Sequence, residues 1–142
     1  MLSSNRIGII MPVKVLAIDD DIEMTELLRF ILESDLFDIT TTNSGLDGIK
    51  LIRKHRYDVV IVDLSMPIMD GFEVCKEIRK FSNIPILILS AIKKPEIIVQ
   101  ALDEGADDYL VKPITKDVLA AHLNKIVRRA GNGSYELQKN FV

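Results

Sequence analysis

A single stretch, YDVVIVDLSMPIMDG at residues 57–71, decides the fold. Its apolar, β-branched run from Val59 to Val62 is typical of a strand that is buried on both faces of a parallel sheet. Asp63 follows at once, so a carboxylate stands where the predicted strand leaves the core. Because Pro67 prevents a regular helix and Asp70-Gly71 favours a turn, we expect the next helix to begin at that turn.

Three other apolar runs of the chain end in polar side chains in the same way. These ends are Asp19-Asp20-Asp21 after residues 13–18, Ser90 after residues 84–89, and Lys112-Pro113 after residues 109–111. Because the carboxyl ends of parallel strands share one edge of an open α/β sheet, we expect these groups to lie together. The sequence therefore predicts one site that holds several carboxylates, a hydroxyl and an ammonium.

The order of the predicted elements defines the fold class. Strands are predicted at residues 13–18, 37–41, 59–62, 85–89 and 108–111. Helices are predicted over about 22–34, after Ser44 with Leu46, Ile49 and Ile52 inward, over about 71–81 and 95–104, and after Thr115 to about Arg129. This alternation predicts a (βα)5 doubly wound α/β domain, in which helices cover both faces of a five-stranded parallel sheet.

Composition limits the classes of function. The chain has 142 residues, of which 48% are hydrophobic, which suits one compact domain. A net charge of -3 argues against binding of nucleic acid by this domain, and no apolar stretch approaches the ~20 residues of a membrane span. The single cysteine, Cys75, excludes an internal disulfide, is expected to pack in the core and fits a cytoplasmic location.

The predicted domain covers residues 13–130. Residues 1–12 are interpreted as an N-terminal extension. Residues 131–142 begin with Gly-Asn-Gly-Ser, a flexible linker composition, and are expected to lead to an output domain.

The clustered groups point to phosphoryl chemistry. Carboxylates at one edge repel one another, so keeping them ionised requires a cation. Oxygen ligands without histidine or cysteine favour Mg²⁺, and a lysine beside them suits a phosphoryl group. A carboxylate is also a competent nucleophile toward phosphorus. Phosphoryl transfer needs mainly positioning and charge neutralisation, which this set of residues supplies.

At about residues 13–130 the sequence resembles the receiver domains of two-component response regulators. Four features match in order and spacing: Asp19-Asp20, Asp63-Leu64-Ser65-Met66-Pro67 with Asp70-Gly71, Ser90-Ala91, and Lys112-Pro113. The stretch GADDY at residues 105–109 precedes the lysine, as in that family. The resemblance implies a flavodoxin-like sheet with the strand order 2-1-3-4-5.

The resemblance also implies a role for each matching residue. Asp63 is the phosphoacceptor for a sensor histidine kinase, and the domain is no enzyme beyond its own phosphorylation and dephosphorylation. Asp20 and Asp63 bind Mg²⁺ directly, Asp19 acts largely through water, and the backbone carbonyl of Ser65 completes the protein ligands. The phosphoryl-binding and switch residues are Ser90, Ala91, Tyr109, Lys112 and Pro113. Asp21, by contrast, is expected to cap a helix rather than to bind metal.

Residues 105–131 further resemble the branch of this family that carries a winged-helix DNA-binding domain. In that branch, the fourth helix, fifth strand and fifth helix form a dimer face held by salt bridges. This chain keeps Asp107, Asp108 and Arg128-Arg129 but has His122, Val118 and Ile98 at positions that are usually charged. A phosphorylation-dependent homodimer through a more apolar face is therefore expected, with transcription as the output.

Three other functions fit part of the pattern. An aspartate-nucleophile phosphohydrolase of the haloacid-dehalogenase type shares Mg²⁺, aspartate and lysine, but it has a second aspartate where this chain has Ser65. A degenerate receiver that only binds proteins is disfavoured because Asp19, Asp20, Asp63, Ser90 and Lys112 are all present. A flavin-binding module is disfavoured because no loop offers a glycine-rich phosphate cradle.

Overall fold

Strands and helices alternate along residues 11–131, the part of the chain that the computed structural model describes. The elements are β1 (Val13–Ile18), α1 (Ile22–Leu32), β2 (Phe37–Thr42), α2 (Gly45–Lys54), β3 (Val59–Val62), α3 (Gly71–Arg79), β4 (Ile86–Ser90), α4 (Pro95–Asp103), β5 (Asp108–Val111) and α5 (Lys116–Ala130). The predicted alternation is confirmed. Apart from residues 11, 12 and 131, the predicted extension and linker lie outside the described residues.

Several element ends differ from the sequence prediction by one or two residues, and β4 and α1 show the physical reasons. β4 begins and ends one residue later than expected, because Ser90 still pairs with Val111 of β5 and its carbonyl accepts the Lys112 N–H at 2.8 Å. α1 ends at Leu32 because Glu33 leaves the helical conformation, with ψ at 123°. Both differences come from pairing or backbone geometry that periodicity does not reveal.

The five strands are parallel and lie in the order β2-β1-β3-β4-β5, as the resemblance implied. The chain crosses from β1 to β2 on one side and returns to β3 on the other side of β1. Such a reversal of strand order opens a crevice at the carboxyl ends of the two central strands. Ile18 is paired with Val62, so the residues that follow, Asp19 and Asp63, leave the sheet side by side.

Alternate residues of β1 point to opposite faces of the sheet and enter separate apolar layers. Val15 and Ala17 face the layer that contains α1 and α5, whereas Leu16 and Ile18 face the layer that contains α2, α3 and α4. All residues of β3 and β4 are buried, which explains the uninterrupted apolar runs at residues 59–62 and 86–89. Cys75 packs in the second layer, as expected.

The inward face of α2 is built differently from the prediction. Ile49 is buried and Ile52 partly buried, but Leu46 is half exposed. Gly48, rather than Leu46, makes the contact with the sheet. Its backbone lies so close that a Cβ on Gly48 would come within 2.3 Å of the Ile18 side chain. This close approach rotates Leu46 toward solvent.

Side chains of α1 and of the residue that follows it cover the open edge of β2. The Ile39 N–H donates to a carboxylate oxygen of Glu33 at 3.0 Å, and the Ile39 carbonyl accepts from the Arg29 guanidinium at 3.1 Å. These bonds occupy backbone groups that could otherwise pair with a strand of another chain.

Arg79 ties together the loops at the opposite end of the sheet from Asp63. Its guanidinium donates to the carbonyl oxygens of Gly105 (2.7 and 3.1 Å), Ile84 (2.7 Å) and Ser82 (3.2 Å). It also pairs with Asp107 at 3.0 Å, and the same carboxylate oxygen accepts the Ile86 N–H at 2.8 Å. Asp107 therefore belongs to an internal network at the starts of β4 and β5.

Replacing Arg79 by alanine should lower the free energy of unfolding by about 2–4 kcal/mol, because several part-buried carbonyls lose a charged donor. Arg53→Ala is a matched control, since Arg53 lies over the Phe81 ring at 3.9 Å and should cost only about 0.5–1 kcal/mol. Urea denaturation measures both values. Equal losses in the two variants would contradict the role assigned to the Arg79 network.

Candidate functional site

The predicted acidic cluster forms at the carboxyl edge of the sheet. Carboxylate oxygens of Asp19, Asp20 and Asp63 all lie within 4.8 Å of one another. Asp19 and Asp63 are buried, whereas Asp20 is exposed. Asp19 and Asp20 follow β1 and Asp63 follows β3, so the adjacency of these two strands creates the cluster.

Lys112 is the cation that the fold brings to this cluster. Its ammonium lies 3.0 Å from a carboxylate oxygen of Asp19 and 3.8 Å from one of Asp63. The lysine follows β5, which lies two strands away from β3, and its long side chain spans the end of β4. Three carboxylates share this edge with the Lys112 ammonium, which lies near two of them, so the edge keeps a net negative charge.

The surroundings of Asp63 disfavour its charged form. Burial, followed by repulsion from Asp19, raises the pKa of Asp63 to about 6, although Lys112 and a backbone hydrogen bond from Ser65 act in the opposite direction. A cation at this edge would stabilise the carboxylate. The all-oxygen donor set fits a hard divalent ion such as Mg²⁺.

The loop that follows β3 is held close to Asp63 by Gly71. The Gly71 N–H donates to the Leu64 carbonyl at 3.0 Å, and a Cβ at Gly71 would lie only 2.4 Å from the Asp63 carbonyl oxygen. Asp70 and Glu73 then form a reciprocal capping box that starts α3. At the tip of the loop, Ile68 has a φ of 68° and a fully exposed side chain, so the loop is under backbone strain.

Asp21 caps α1, as predicted. Its carboxylate accepts the backbone N–H groups of Glu23 at 3.0 Å and Met24 at 3.3 Å. Its own N–H donates to the Asp19 carboxylate at 3.0 Å. The turn between β1 and α1 is thus fixed on both sides of Asp20.

The remaining predicted residues lie around the same edge. Ser90 is fully buried, and its hydroxyl accepts the Ile92 N–H at 3.2 Å. The partly buried Tyr109 packs against the second apolar layer, and its hydroxyl donates to the Ile92 carbonyl at 2.5 Å. Ile92 therefore links Ser90 to Tyr109. Ala91 and the cis-bonded Lys112-Pro113 border a groove beside the cluster.

That groove is apolar and has a volume of about 400 Å³. It is bordered by α1 and the loop after β5, through Met24, Leu27, Ile31, Ala91, Lys112, Pro113 and Ile114. Ile22 and Phe30 add further exposed apolar surface on α1.

Two sets of polar contacts, one beside the predicted site and one at the start of β5, were not anticipated from the sequence. The Asn43 amide donates to the Asp19 carbonyl at 2.7 Å and to the Thr25 hydroxyl at 3.1 Å. Asp108 lies 2.6 Å from the His122 ring and 3.6 Å from the Lys125 ammonium. The only sequence signal for Asn43 is a side-chain amide at the end of an edge strand, which is common in loops.

Comparison with known proteins supplies independent evidence. Residues 15–124 match the model of the response regulator receiver domain family. The chain is 42% identical over 121 residues to the transcriptional regulatory protein CpxR homolog of Haemophilus influenzae, a match that covers 85% of this chain and 53% of that protein. It is 41% identical over 118 residues to the cell cycle response regulator CtrA of Brucella ovis, covering 82% of this chain and 51% of that protein. The chain thus spans about half the length of these curated relatives.

Solved structures give the same result for the fold. The receiver domain of the Francisella response regulator 1452 superposes with a TM-score of 0.78 at 35% identity, covering 83% of this chain and 98% of that one. The chemotaxis protein CheY4 of Vibrio cholerae superposes with a TM-score of 0.75 at 33% identity, covering 81% and 98%.

Asp63→Asn should raise the stability of the metal-free domain at pH 7 by roughly 1–3 kcal/mol, because it removes a buried carboxylate that Asp19 repels. The pKa of Asp63 is raised, so the folded state holds its proton more tightly. The ionised Asp63 therefore lowers the free energy of unfolding by its full amount above pH 6. This destabilisation is lost as the pH falls toward about 3.9.

Urea denaturation at pH 7 and pH 4 measures this gain, which should be largest at pH 7 and small at pH 4. Asp38→Asn, at an exposed position of β2, is the control and should change stability by less than about 0.5 kcal/mol. A less stable Asp63→Asn domain at pH 7 would contradict the electrostatic account.

Proposed function

The chain belongs to the response regulator receiver domain family, and we propose that Asp63 accepts a phosphoryl group in a Mg²⁺-dependent reaction. The observation that carries this proposal is the convergence of three carboxylates within 4.8 Å beside the Lys112 ammonium. A structural ion pair would need only the Lys112 ammonium and one carboxylate. A site that binds both a cation and a further anionic group accounts for all three carboxylates and the ammonium.

Each residue has a part in the proposed reaction. Asp20, Asp63 and the Ser65 backbone carbonyl would hold Mg²⁺, with Asp19 acting through water. When bound there, Mg²⁺ would supply positive charge to offset that of the incoming phosphoryl oxygens. An Asp63 carboxylate oxygen attacks phosphorus, the bond between phosphorus and the donor's imidazole nitrogen breaks, and an acyl phosphate forms. Lys112 then turns from Asp19 toward a phosphoryl oxygen.

Ser90 and Tyr109 would convert the new charge into a structural change. The Ser90 hydroxyl accepts from Ile92 and can still donate its own proton to a phosphoryl oxygen, so a movement of the hydroxyl toward that oxygen would pull on the loop after β4. The Tyr109 hydroxyl is bonded to the carbonyl of the same residue, so the two side chains move together. The result is a two-state switch that a local charge change biases toward one state.

A sensor histidine kinase is the proposed phosphoryl donor. The apolar groove between α1 and the loop after β5 borders Lys112 and gives a helical partner a surface next to Asp63.

The relatives named as transcriptional regulators suggest control of transcription through an attached output domain. A cytoplasmic location, without binding of nucleic acid by this domain, belongs to the same proposal. No helix within residues 11–131 has the length and apolar character that crossing a membrane requires.

Incubation with acetyl phosphate and Mg²⁺ should add one phosphoryl group to the chain, visible by intact-mass spectrometry. The group should be labile to hydroxylamine, as an acyl phosphate is, and Asp63→Asn should gain none. Asp58→Asn serves as the matched control, because Asp58 precedes β3 at the other end of the strand.

A phosphoryl group that survives hydroxylamine, or that appears on Asp63→Asn, would exclude Asp63 as the acceptor. Turnover of phosphomonoesters would instead support the alternative function of an aspartate-nucleophile phosphohydrolase. A failure of every phosphorylation attempt, with Mg²⁺ binding intact, would favour the degenerate receiver.

The proposed output is a homodimer through α4, β5 and α5. Of the acidic residues expected to form salt bridges on this face, Asp107 is bonded to Arg79 and Asp108 to His122, both within the chain. Exposed apolar side chains on α4 and α5, namely Val99, Leu102 and Val118, are available instead. A dimer through this face would therefore depend less on ion pairs than in related proteins.

Sedimentation velocity of the beryllofluoride-treated domain should show a dimer whose dissociation constant changes less than about threefold between 0.05 and 0.5 M salt, because apolar contacts are little screened. Leu102→Asp should abolish the dimer, whereas Phe30→Asp on α1 should preserve it. A monomer at every salt concentration would defeat the dimer proposal while leaving the phosphoacceptor proposal intact.

A further inference from the structure

The side chain of Asn43 connects the loop after β2 to the turn after β1. Its amide nitrogen donates to the Asp19 carbonyl at 2.7 Å and to the Thr25 hydroxyl at 3.1 Å. Thr25 is buried in α1, and its hydroxyl in turn donates to the Ile22 carbonyl at 3.0 Å. One side chain thus holds the end of a central strand and the first turn of a helix.

The Asp19 carbonyl belongs to the peptide group that joins Asp19 to Asp20. Since a peptide group is planar, fixing its oxygen also fixes the direction in which the Asp20 Cα leaves the strand. The next peptide group is fixed as well, because the Asp21 N–H donates to the Asp19 carboxylate at 3.0 Å. Asp20 therefore sits between two anchored peptide groups.

The Asp20 carboxylate itself has no hydrogen-bond donor among residues 11–131, and it is exposed at the edge of the site. Its position relative to Asp63 is consequently set by the backbone on either side of it. Asn43 contributes the only side-chain hydrogen bond from β2 or its following loop to that backbone within the described residues.

We propose that Asn43 is a positioning residue, which aims the Asp20 carboxylate at the metal site by holding the Asp19–Asp20 peptide group. The inference rests on the proposed Mg²⁺-dependent function and adds a residue outside the acidic cluster to it. Asn43 is not among the residues proposed to hold the metal or the phosphoryl group. Its effect resembles that of the outer hydrogen bonds that orient metal ligands, whose loss typically weakens metal binding by about 10–100-fold.

The competing explanation is that Asn43 merely stabilises its loop. Ser44 separates the two explanations, because its hydroxyl accepts the Asp47 N–H at 3.3 Å and caps α2 without touching Asp19. Ser44→Ala should lower the stability of the domain by removing this helix cap while leaving the Asp19–Asp20 peptide group anchored.

Mg²⁺ titration of the 142-residue chain, followed by ¹⁵N NMR, tests the proposal. We expect Asn43→Ala to raise the dissociation constant for Mg²⁺ about tenfold and Ser44→Ala to leave it within about twofold of the wild-type value. An Asn43→Ala value within twofold of the wild type, or one matched by Ser44→Ala, would overturn the positioning role alone. An unchanged dissociation constant in Asp20→Ala would instead overturn the Mg²⁺ assignment, and the role of Asn43 with it.

Discussion

Repulsion among three carboxylates at one edge of the sheet is the constraint on which the site depends. The parallel register of β1 and β3 pairs Ile18 with Val62, so Asp19 and Asp63 emerge as neighbours and cannot separate without breaking the sheet. The two buried aspartates share a single ammonium, from Lys112. The fold thus keeps charges together that would move apart in a free chain, and a cation or proton must reduce their repulsion.

Much of the surrounding structure serves to hold that edge in place. Gly71 allows the loop after β3 to pack against the Asp63 carbonyl, and Asp21 and Asn43 fix the turn that carries Asp20. The opposite end of the sheet is anchored by Arg79 and Asp107. Between these rigid parts, Ile92 lies in the loop after β4, bonded to both Ser90 and Tyr109. Under the proposed function, a new charge on Asp63 would act on this segment through Ser90 and Tyr109.

The sequence predicts the alternation of strands and helices and the composition of the site because both follow from short-range patterns, whereas the strand order was implied by the family resemblance. Apolar runs give the strands, and the residue after each run gives a site member, as for Asp63 and Lys112. The contacts of Arg79, Asn43 and His122 could not be predicted, because each joins side chains to groups on other elements. Leu46 shows the limit of periodicity, since the close packing of Gly48 on Ile18 turned an apolar residue outward.

The pKa of Asp63, measured by ¹³C NMR of its carboxyl carbon with and without Mg²⁺, tests the central claim most directly. Without the ion, burial and Asp19 should place the midpoint at about 6. With saturating Mg²⁺, the midpoint should fall by at least about one unit, because the cation favours the charged form. An identical midpoint under both conditions would mean that the ion does not relieve the repulsion at this edge, and would contradict the account.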